Sequence, residues 1–332
     1  MRYRKLGRTD IEVSVICQGC WSIVGKDMTW GGNVLDDSIA AIRASLDAGV
    51  NFFDTAPGYG AGESEEILAR ALEGVRDDVV IATKVSPGDL EPKKLKAACE
   101  GSLRRLKTDY IDLYQIHWPS KDVPIADTLG AMEQLKQAGK IRAVGVSNFG
   151  VSYMADLLEA GRAESNQLPY SLLWRPIEHE VQPQCVAGDI SILCYSSLCQ
   201  GLLTGKFASA DEVPAGRART RLFSKDRPQS RHHEAGCEKE AFKAIDEIRE
   251  ICRSINGPMG RVSLAWLLAQ RGVASAIVGG RNAAQACENA RAGDLELSPD
   301  VVEALSGAAE KVKRCIGPNC DLWQSDSRME RA

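Results

Sequence analysis

The sequence predicts an α/β protein folded as a (β/α)8 barrel, also called a TIM barrel. Three observations lead to this prediction. Strand-like and helix-like runs alternate almost without interruption along the 332 residues, eight strand-like runs can be counted, and helical sequence separates each from the next. The length of the chain suits one barrel with insertions, and no linker divides the sequence. Residues 1–332 are therefore expected to form a single domain.

The predicted strands are short runs of apolar and β-branched residues. The segment "VVIATKV", for example, is apolar nearly throughout, as is typical of a strand covered on both faces. A doubly wound sheet is the alternative, but it usually has a G-x-G-x-x-G turn after its first strand, and "CQGCWSIVGK" does not supply one. The eight predicted strands are 13–19, 51–56, 79–85, 110–118, 141–149, 164–171, 190–197 and 273–280.

The runs between the strands have helical periodicity. After the first strand, Ile39, Ile42 and Leu46 recur at helical spacing, and Gly49 is a typical helix stop. The segment from about 205 to 236 is expected to be irregular. The predicted helices are 36–49, 62–74, 91–108, 125–139, 151–161, 181–188, 238–255, 261–272 and 299–314.

The composition argues against several classes of protein. The net charge of −4 disfavours a nucleic-acid partner or an anionic membrane partner. The N-terminal "MRYRKLGRTDIEVS" lacks the apolar core of a signal peptide. No apolar run reaches the roughly 18 residues that a membrane span needs. We therefore expect a cytoplasmic protein.

The eleven cysteines are scattered through apolar and helical stretches, which is typical of reduced thiols packed in a core. Cys17 and Cys20 form a C-x-x-C pair, but the pair lies in a predicted strand and not at a helix start. Cys315 and Cys320 are spaced too widely to complete the usual zinc motif. No metal site is predicted.

Polar side chains stand where the predicted strands end. In a parallel barrel these ends meet at one mouth, which is where the active site lies. Each residue alone has an ordinary interpretation: Asp54 could cap a turn, and Lys84 or His117 could be a solvated or half-buried strand end. Their occurrence on consecutive strands favours one shared site. The set comprises Asp54, Tyr59, Lys84, His117, Ser147, Asn148, Gln167, Tyr195 and Ser196.

Four of these residues could together deliver a proton to a carbonyl group. A free tyrosine is a poor acid at neutral pH because its pKa is about 10, but the ammonium group of Lys84 would lower the pKa of Tyr59. Asp54 would keep Lys84 charged and oriented, and His117 could hydrogen-bond the substrate oxygen. A proton donor for a carbonyl also needs a hydride donor, which implies a nicotinamide cofactor.

The sequence closely resembles the aldo-keto reductases, which are NADP(H)-dependent carbonyl reductases on this barrel. The resemblance runs from "YRKLGRTDIEVS" to "GPNCDLW" and is most specific in "GVNFFDTAPGYGAGESEEILARAL". It implies that Asp54, Tyr59, Lys84 and His117 form a catalytic tetrad in which Tyr59 is the acid. It also implies a barrel with an N-terminal β-hairpin cap and extra C-terminal helices.

The same resemblance implies NADPH as the cofactor and assigns its contacts. Ser147, Asn148 and Gln167 would hold the nicotinamide carboxamide, and Tyr195 would stack on its ring. "YSSLCQGLLTGK" is similar to the pyrophosphate loop, and "IVGGRNAAQACENA" to the adenosine-phosphate site. The implied cofactor-binding residues are Gly19, Cys20, Trp21, Asp54, Ser147, Asn148, Gln167, Tyr195, Ser196, Leu198, Gln200, Gly201, Leu203, Lys206, Gly279, Arg281, Gln285, Glu288 and Asn289.

The resemblance also implies a small carbonyl substrate, apolar or sugar-like, in a pocket of Trp21, Tyr59, His117 and Trp118. The particular substrate and the oligomeric state are not predicted. Two other functions stay open: a redox-sensing or regulatory barrel with little turnover, and a Schiff-base lyase that uses Lys84. A further hypothesis is that part of the arginine-rich segment 205–236 folds over the bound pyrophosphate, with a solvated loop as the alternative.

Overall fold

The protein folds around a closed barrel of eight parallel strands, as predicted. The computed structural model describes residues 1–25 and 31–331. A hairpin of β1 (Tyr3–Lys5) and β2 (Glu12–Ser14) comes first. The barrel strands are β3 (Ile16–Gly19), β4 (Phe52–Asp54), β5 (Val80–Val85), β6 (Ile111–Ile116), β7 (Ile141–Ser147), β8 (Ser165–Pro169), β9 (Ser191–Tyr195) and β10 (Val273–Gly279). They pair in chain order, and β10 pairs with β3 to close the sheet.

The first predicted strand, 13–19, is two strands in the structure, and this corrects the sequence-based boundary. Ser14 ends β2, which pairs antiparallel with β1, whereas Ile16 begins the barrel strand β3. The Ser14 hydroxyl donates to the carbonyl of Ile16 at 2.6 Å, and its backbone N–H donates to Asn51 Oδ1 at 2.7 Å. These local bonds replace ladder bonds where the chain passes from hairpin to barrel.

The N-terminal hairpin closes the lower end of the barrel. Leu6 and Val13 are fully buried and cluster with the inward-facing Cys17, Phe52 and Leu113 of the barrel strands. Apolar burial of this kind stabilises by about 25 cal/mol per Å². The hairpin therefore leaves the opposite end, at the carboxyl ends of the strands, as the open mouth.

Eleven helices surround the barrel within the described residues. Residues 299–314, predicted as one helix, break at Ala309 just after the weak helix former Gly307. A short helix over residues 283–290 was missed, although Asn282 caps it and Gln285 stands three residues later, as in a capping box. The helices are α1 (Leu35–Asp47), α2 (Glu63–Ala71), α3 (Pro92–Leu106), α4 (Ile125–Gln137), α5 (Val151–Ala160), α6 (Val181–Ala187), α7 (Glu238–Ser254), α8 (Met259–Leu268), α9 (Ala283–Ala290), α10 (Pro299–Ala308) and α11 (Glu310–Ile316).

Two irregular segments lie against each other near the mouth: residues 205–236, and residues 317–331, which we call the C-terminal tail. The buried guanidinium of Arg221 joins them. It pairs with Glu234 at 2.8 Å and donates to the tail carbonyls of Asn319 and Asp321 at 2.8 and 3.0 Å. Among the described residues, no helix is long and apolar enough to cross a membrane.

All eleven cysteines are free thiols, and nine of them are buried, in agreement with the prediction of packed, reduced cysteines. Cys17 and Cys20 flank the end of β3 with both thiols inside the protein. Burial raises the pKa of each thiol, so both are protonated and unreactive at neutral pH. Cys315 is exposed and Cys287 is partly exposed, so these two depart from the pattern.

Candidate active site

Three strands and one turn bring the four candidate catalytic side chains together at the mouth. Asp54 ends β4, Lys84 lies in β5, and His117 follows β6. Tyr59 lies in the turn after β4, which brings its hydroxyl to 3.5 Å from Lys84 Nζ. The adjacent pairing of β4, β5 and β6 places these residues side by side.

Lys84 is fully buried and its ammonium group is held by oxygen acceptors. Its Nζ donates to Asp54 Oδ1 at 2.7 Å and to the carbonyl of Thr55 at 2.8 Å, in addition to its contact with Tyr59. Burial acts to lower the pKa of Lys84, but Asp54 and then Tyr59 raise it, and the net shift is upward. Lys84 is therefore a fixed cation, whereas a Schiff-base lysine must lose its proton to react.

The second carboxylate oxygen of Asp54 is also occupied. Oδ2 accepts hydrogen bonds from Gln167 Nε2 at 2.7 Å and from Gln115 Nε2 at 3.2 Å. Gln115 was not singled out from the sequence, although a polar residue in the apolar run of β6 is a signal for an inward polar contact. The buried ion pair thus has the additional hydrogen bonds that such pairs need.

The structure corrects the expected direction of the Tyr59 pKa shift. Burial raises the pKa of Tyr59, Lys84 acts to lower it, and Asp54 raises it again, so that the net shift is upward. The expectation of a lowered pKa considered the nearby charge but not the loss of solvent. Tyr59 therefore carries its proton at neutral pH, as a proton donor must.

His117 and Trp21 flank the Tyr59 ring. The His117 imidazole meets it edge-on, with ring centroids 6.1 Å apart, and the Trp21 indole stacks on it, also at 6.1 Å. Burial and the charge of Lys84 lower the pKa of His117 to about 3. The imidazole is therefore neutral at physiological pH and can still donate one hydrogen bond.

A cavity of about 900 Å³ opens above these side chains. Lys84 lies behind its wall, and Leu203 does not reach it, because its side chain is fully buried and its backbone N–H is donated to the carbonyl of Leu198. The other predicted site residues line the cavity: Gly19, Cys20, Trp21, Asp54, Tyr59, His117, Trp118, Ser147, Asn148, Gln167, Tyr195, Ser196, Leu198, Gln200, Gly201, Lys206, Gly279, Arg281, Gln285, Glu288 and Asn289.

A hydrogen-bonded network connects the ends of β7, β8 and β9 to Asp54. Asn148 is held in the left-handed backbone region with φ +63°. Its Oδ1 accepts from the hydroxyl of Tyr195 at 2.9 Å, and its Nδ2 donates to the carbonyl of His117 at 3.0 Å. These contacts fix the side-chain amide in place. Gln167, bound to Asp54, belongs to the same network.

The loop after β9 makes a tight left-handed turn. Cys199, Gln200 and Gly201 have φ values of +47°, +56° and +89°, and Ser196 has +53°. Only glycine adopts such angles without strain, so three of these residues are held there by their surroundings. Turns can form concave surfaces whose backbone N–H groups bind anions.

Three cations converge on this loop. A Cβ atom added to Gly201 would lie 3.5 Å from Lys206 Nζ and 3.9 Å from Arg217 Nη1. Burial and then the charges of Arg217 and Arg281 lower the pKa of Lys206, and burial and Arg281 lower the pKa of Arg217. The cations are thus close enough to repel one another, and a bound anion would relieve that repulsion.

The far end of the cavity is built around α9. The Arg281 backbone N–H donates to Gln285 Oε1 at 3.1 Å. Asn289 Nδ2 donates to the last carbonyl of β10. Glu288 accepts three hydrogen bonds from Arg261, at 2.8, 2.9 and 3.2 Å, and Arg261 was not identified from the sequence. The start of a helix beside Arg281 suits a phosphate group.

Sequence comparison assigns this arrangement to a family. Residues 15–310 match the profile of the Aldo/keto reductase family. The chain belongs to the aldo/keto reductase family. It is 37% identical to the aldo-keto reductase YhdN of Bacillus subtilis (strain 168), over 86% of each chain. It is 33% identical to the NADH-specific methylglyoxal reductase of Escherichia coli (strain K12), over 95% of this chain and 100% of that one.

The fold agrees with solved structures of the family. A crystal structure of an aldo/keto reductase from Klebsiella pneumoniae, in complex with NADP and acetate, superposes with a TM-score of 0.70 and 30% sequence identity. The alignment covers 89% of this chain and 91% of that one.

The C-terminal tail of this aldo/keto reductase contributes a part of the site that sequence reasoning missed. Trp323, Gln324 and Arg328 line the cavity, and Arg328 contacts Trp118. The tail has no regular secondary structure, so periodicity could not reveal it. A signal was present, because a tryptophan and several charged residues follow the last helix.

The arginine-rich segment 205–236 is divided in its roles. Arg217, Arg219 and Arg231 line the cavity, as the hypothesis of a segment over the cofactor requires. Arg221 instead holds the tail, and Arg227 pairs with Asp211 and Glu238 away from the cavity. The fold of the segment depends on these last two arginines.

Proposed function

We propose that this aldo/keto reductase reduces an aldehyde or ketone to an alcohol, with NADP(H) as the cofactor and Tyr59 as the proton donor. One observation carries the proposal. The Tyr59 hydroxyl lies 3.5 Å from Nζ of Lys84 in the buried Lys84–Asp54 pair, and its ring lies beside His117 at the base of the cavity.

Each catalytic side chain would have one task. Tyr59 would give its proton to the carbonyl oxygen, and the charge of Lys84 would stabilise the phenolate that remains. Asp54 keeps Lys84 protonated and in place. His117, being neutral, would donate a hydrogen bond that orients the carbonyl oxygen without competing as an acid. Proton transfer from a positioned group contributes roughly 10²- to 10⁴-fold to a rate.

NADP(H) fits the residues that are present, and when bound it would supply a hydride to the carbonyl carbon. Three cations along the cavity are close enough to repel one another: Lys206, Arg217 and Arg281. Their closeness favours a ligand with several phosphates. Arg281 stands at the start of α9, where a guanidinium fork could hold the adenosine phosphate that distinguishes NADP(H) from NAD(H). A relative from Klebsiella pneumoniae was crystallised with NADP, whereas the methylglyoxal reductase of Escherichia coli is NADH-specific.

A regulatory barrel with little turnover is the competing function. The side chains of Asp54, Tyr59, Lys84 and His117 lie together at the base of the cavity, and this supports turnover. The test is to mix the purified protein with NADPH and a panel of carbonyl compounds, including methylglyoxal, glyceraldehyde and benzaldehyde, and to follow loss of NADPH absorbance. Oxidation of NADPH that depends on the carbonyl compound is expected. Tight NADPH binding without turnover on any of them would favour the regulatory function.

A further inference from the structure

The outer part of the cavity, above Tyr59 and His117, is formed by aromatic rings with arginines laid over them. The guanidinium of Arg328 lies over the ring of Trp118, 3.9 Å from its centroid. That of Arg219 lies 4.7 Å from the centroid of Trp323. Trp118, Trp323 and both arginines line the cavity. The tail and the segment 205–236 thereby bring positive charge to the substrate end of the cavity, in addition to the cations at the phosphate end.

Arg328 is held by the carboxylate of Asp321. Arg328 Nε donates to Asp321 Oδ2 at 2.8 Å and Nη2 donates to Oδ1 at 3.0 Å. Asp321 is fully buried and also accepts backbone N–H bonds from Trp323, Gln324 and Arg328 itself. Five donors share this carboxylate. It therefore fixes the guanidinium of Arg328 in place but neutralises its charge only in part.

One edge of the Arg328 guanidinium remains for a ligand. Its Nη1 has no hydrogen-bond acceptor among residues 1–25 and 31–331, and the side chain, which lines the cavity, is 38% exposed. Stacking on Trp118 and pairing with Asp321 together remove its freedom of rotation. Such an arginine loses little conformational entropy when it binds, because it is already oriented.

Cations outnumber carboxylates among the described residues that line the cavity. Among the described lining residues, the carboxylates are Asp54 and Glu288. Asp54 is committed to Lys84, and Glu288 to Arg261. The cations that line the cavity are Lys206, Arg217, Arg219, Arg231, Arg261, Arg281 and Arg328. The phosphates of NADP(H) would pair with the cations near Gly201 and α9. They would not pair with Arg328, which lies on Trp118.

We propose that the substrate of this enzyme is an aldehyde or ketone that carries a carboxylate, and that Arg328 binds this carboxylate while Asp321 positions Arg328. The proposal rests on the proposed carbonyl reduction at Tyr59. A carboxylate is favoured over a phosphate because Arg328 is partly neutralised by Asp321 and offers one open edge, which suits a planar monoanion. The ring of Trp118 would cover the carbon chain between the carboxylate and the reacting carbonyl.

Two aromatic aldehydes of similar shape separate charge recognition from pocket shape: para-carboxybenzaldehyde and its neutral methyl ester, which is larger by one methyl group. Wild-type enzyme should reduce the carboxylate compound with the higher kcat/KM, and the advantage should shrink as salt is added. Arg328→Met should lower kcat/KM for the carboxylate compound about 10- to 100-fold, as expected for a lost charged hydrogen bond. Reduction of the ester should change little, and Arg328→Lys should retain part of the preference.

Arg331→Met is the matched control, because Arg331 lies on the same tail, pairs with Asp156 and does not line this cavity. It should leave both substrates unaffected. Equal losses for both substrates in Arg328→Met would mean that Arg328 only fastens the tail, and a wild-type preference for the ester would also overturn the proposal.

Failure of the proposed function gives a different result. If neither aldehyde is reduced, the carbonyl reductase assignment fails, and tryptophan fluorescence titration with the two compounds still tests Arg328. Tighter binding of the carboxylate compound by wild type, lost in Arg328→Met, would support the anion site. Equal binding of the two compounds would refute it.

Discussion

The buried charge of Lys84 is stabilised by the same groups that place it beside Tyr59. It has no exposed surface, yet a carboxylate, a carbonyl and a phenol surround its ammonium group. The sequence allowed the proximity of Lys84, Asp54 and Tyr59 to be predicted, because all three stand at neighbouring strand ends. It did not allow the direction of the Tyr59 pKa shift to be predicted, because that direction depends on how much solvent the folded structure removes.

Replacing Lys84 by Met tests this balance. Burial raises the pKa of Tyr59 and Lys84 opposes the increase, so loss of the ammonium group should raise the pKa further. Alcohol oxidation needs the phenolate, so its rate should reach a plateau at higher pH in Lys84→Met than in wild type. Carbonyl reduction should also fall, because the phenolate left by proton transfer loses its nearby cation. The measurement is the pH profile of kcat in both directions.

A control separates this effect from misfolding. Breaking a buried ion pair costs roughly 3–5 kcal/mol, because the other charge is left unpaired. The double variant Lys84→Met with Asp54→Asn removes that charge, so it should unfold at a temperature nearer to wild type and still show the altered pH profile. An unchanged profile in a folded variant would contradict the role given to Lys84.

At the level of elements, the predicted strands agree best with the structure where one apolar run forms a single strand. The bounds of β5 and β7 agree with the prediction to within two residues, because every residue of the two strands except Arg142 is buried. The split of 13–19 could not be predicted, because one apolar run serves two sheets. Helix α9 was missed because it has only eight residues and its first turn carries the cap instead of an apolar face.

Helix α5 illustrates a cap that comes from the other end of the chain. It begins after Gly150, which has no side chain to offer. The carboxylate of Glu330 accepts from the backbone N–H groups of Val151 and Ser152 at 2.6 and 2.8 Å. The tail that brings Arg328 to the cavity is thereby fastened to the barrel.

Glu330→Ala should lower the free energy of unfolding by about 0.5–2 kcal/mol, which is the usual cost of losing a helix cap. Denaturant unfolding followed by circular dichroism measures this change. Glu296→Ala is the control, because Glu296 is 75% exposed in its pair with Arg2 and should change the free energy by less than about 0.5 kcal/mol. Equal small effects in the two variants would mean that the tail is not held through Glu330.

At the level of the whole molecule, the cavity joins residues that are far apart in the sequence. The strand ends could be predicted to meet, because closure of a parallel barrel brings them to one face. The tail and the segment 205–236 could not be placed, because their positions depend on single contacts such as those of Arg221 and not on any repeating pattern. The aromatic and cationic outer part of the cavity could therefore not be predicted from the sequence.

The position of Arg281 at the start of α9 predicts a cofactor preference. Arg281→Ala should weaken NADPH binding by about 10- to 150-fold, the equivalent of a charged hydrogen bond, and should weaken NADH binding much less. Fluorescence titration with both cofactors measures the two losses. Arg271→Ala, an exposed arginine before β10 and not after it, should leave both affinities as in wild type. Equal losses for NADPH and NADH in Arg281→Ala would contradict the placement of the adenosine phosphate.

The most direct test of the account is the single-turnover rate of carbonyl reduction in Tyr59→Phe, with saturating NADPH and an aldehyde that the wild type reduces. The phenyl ring can still pack against Trp21 and His117, but the transferable proton is gone. We predict a rate lower by roughly 10²- to 10⁴-fold, with NADPH affinity unchanged and Tyr3→Phe, which removes an exposed hydroxyl, equal to wild type. A near-wild-type rate in Tyr59→Phe would show that another group donates the proton.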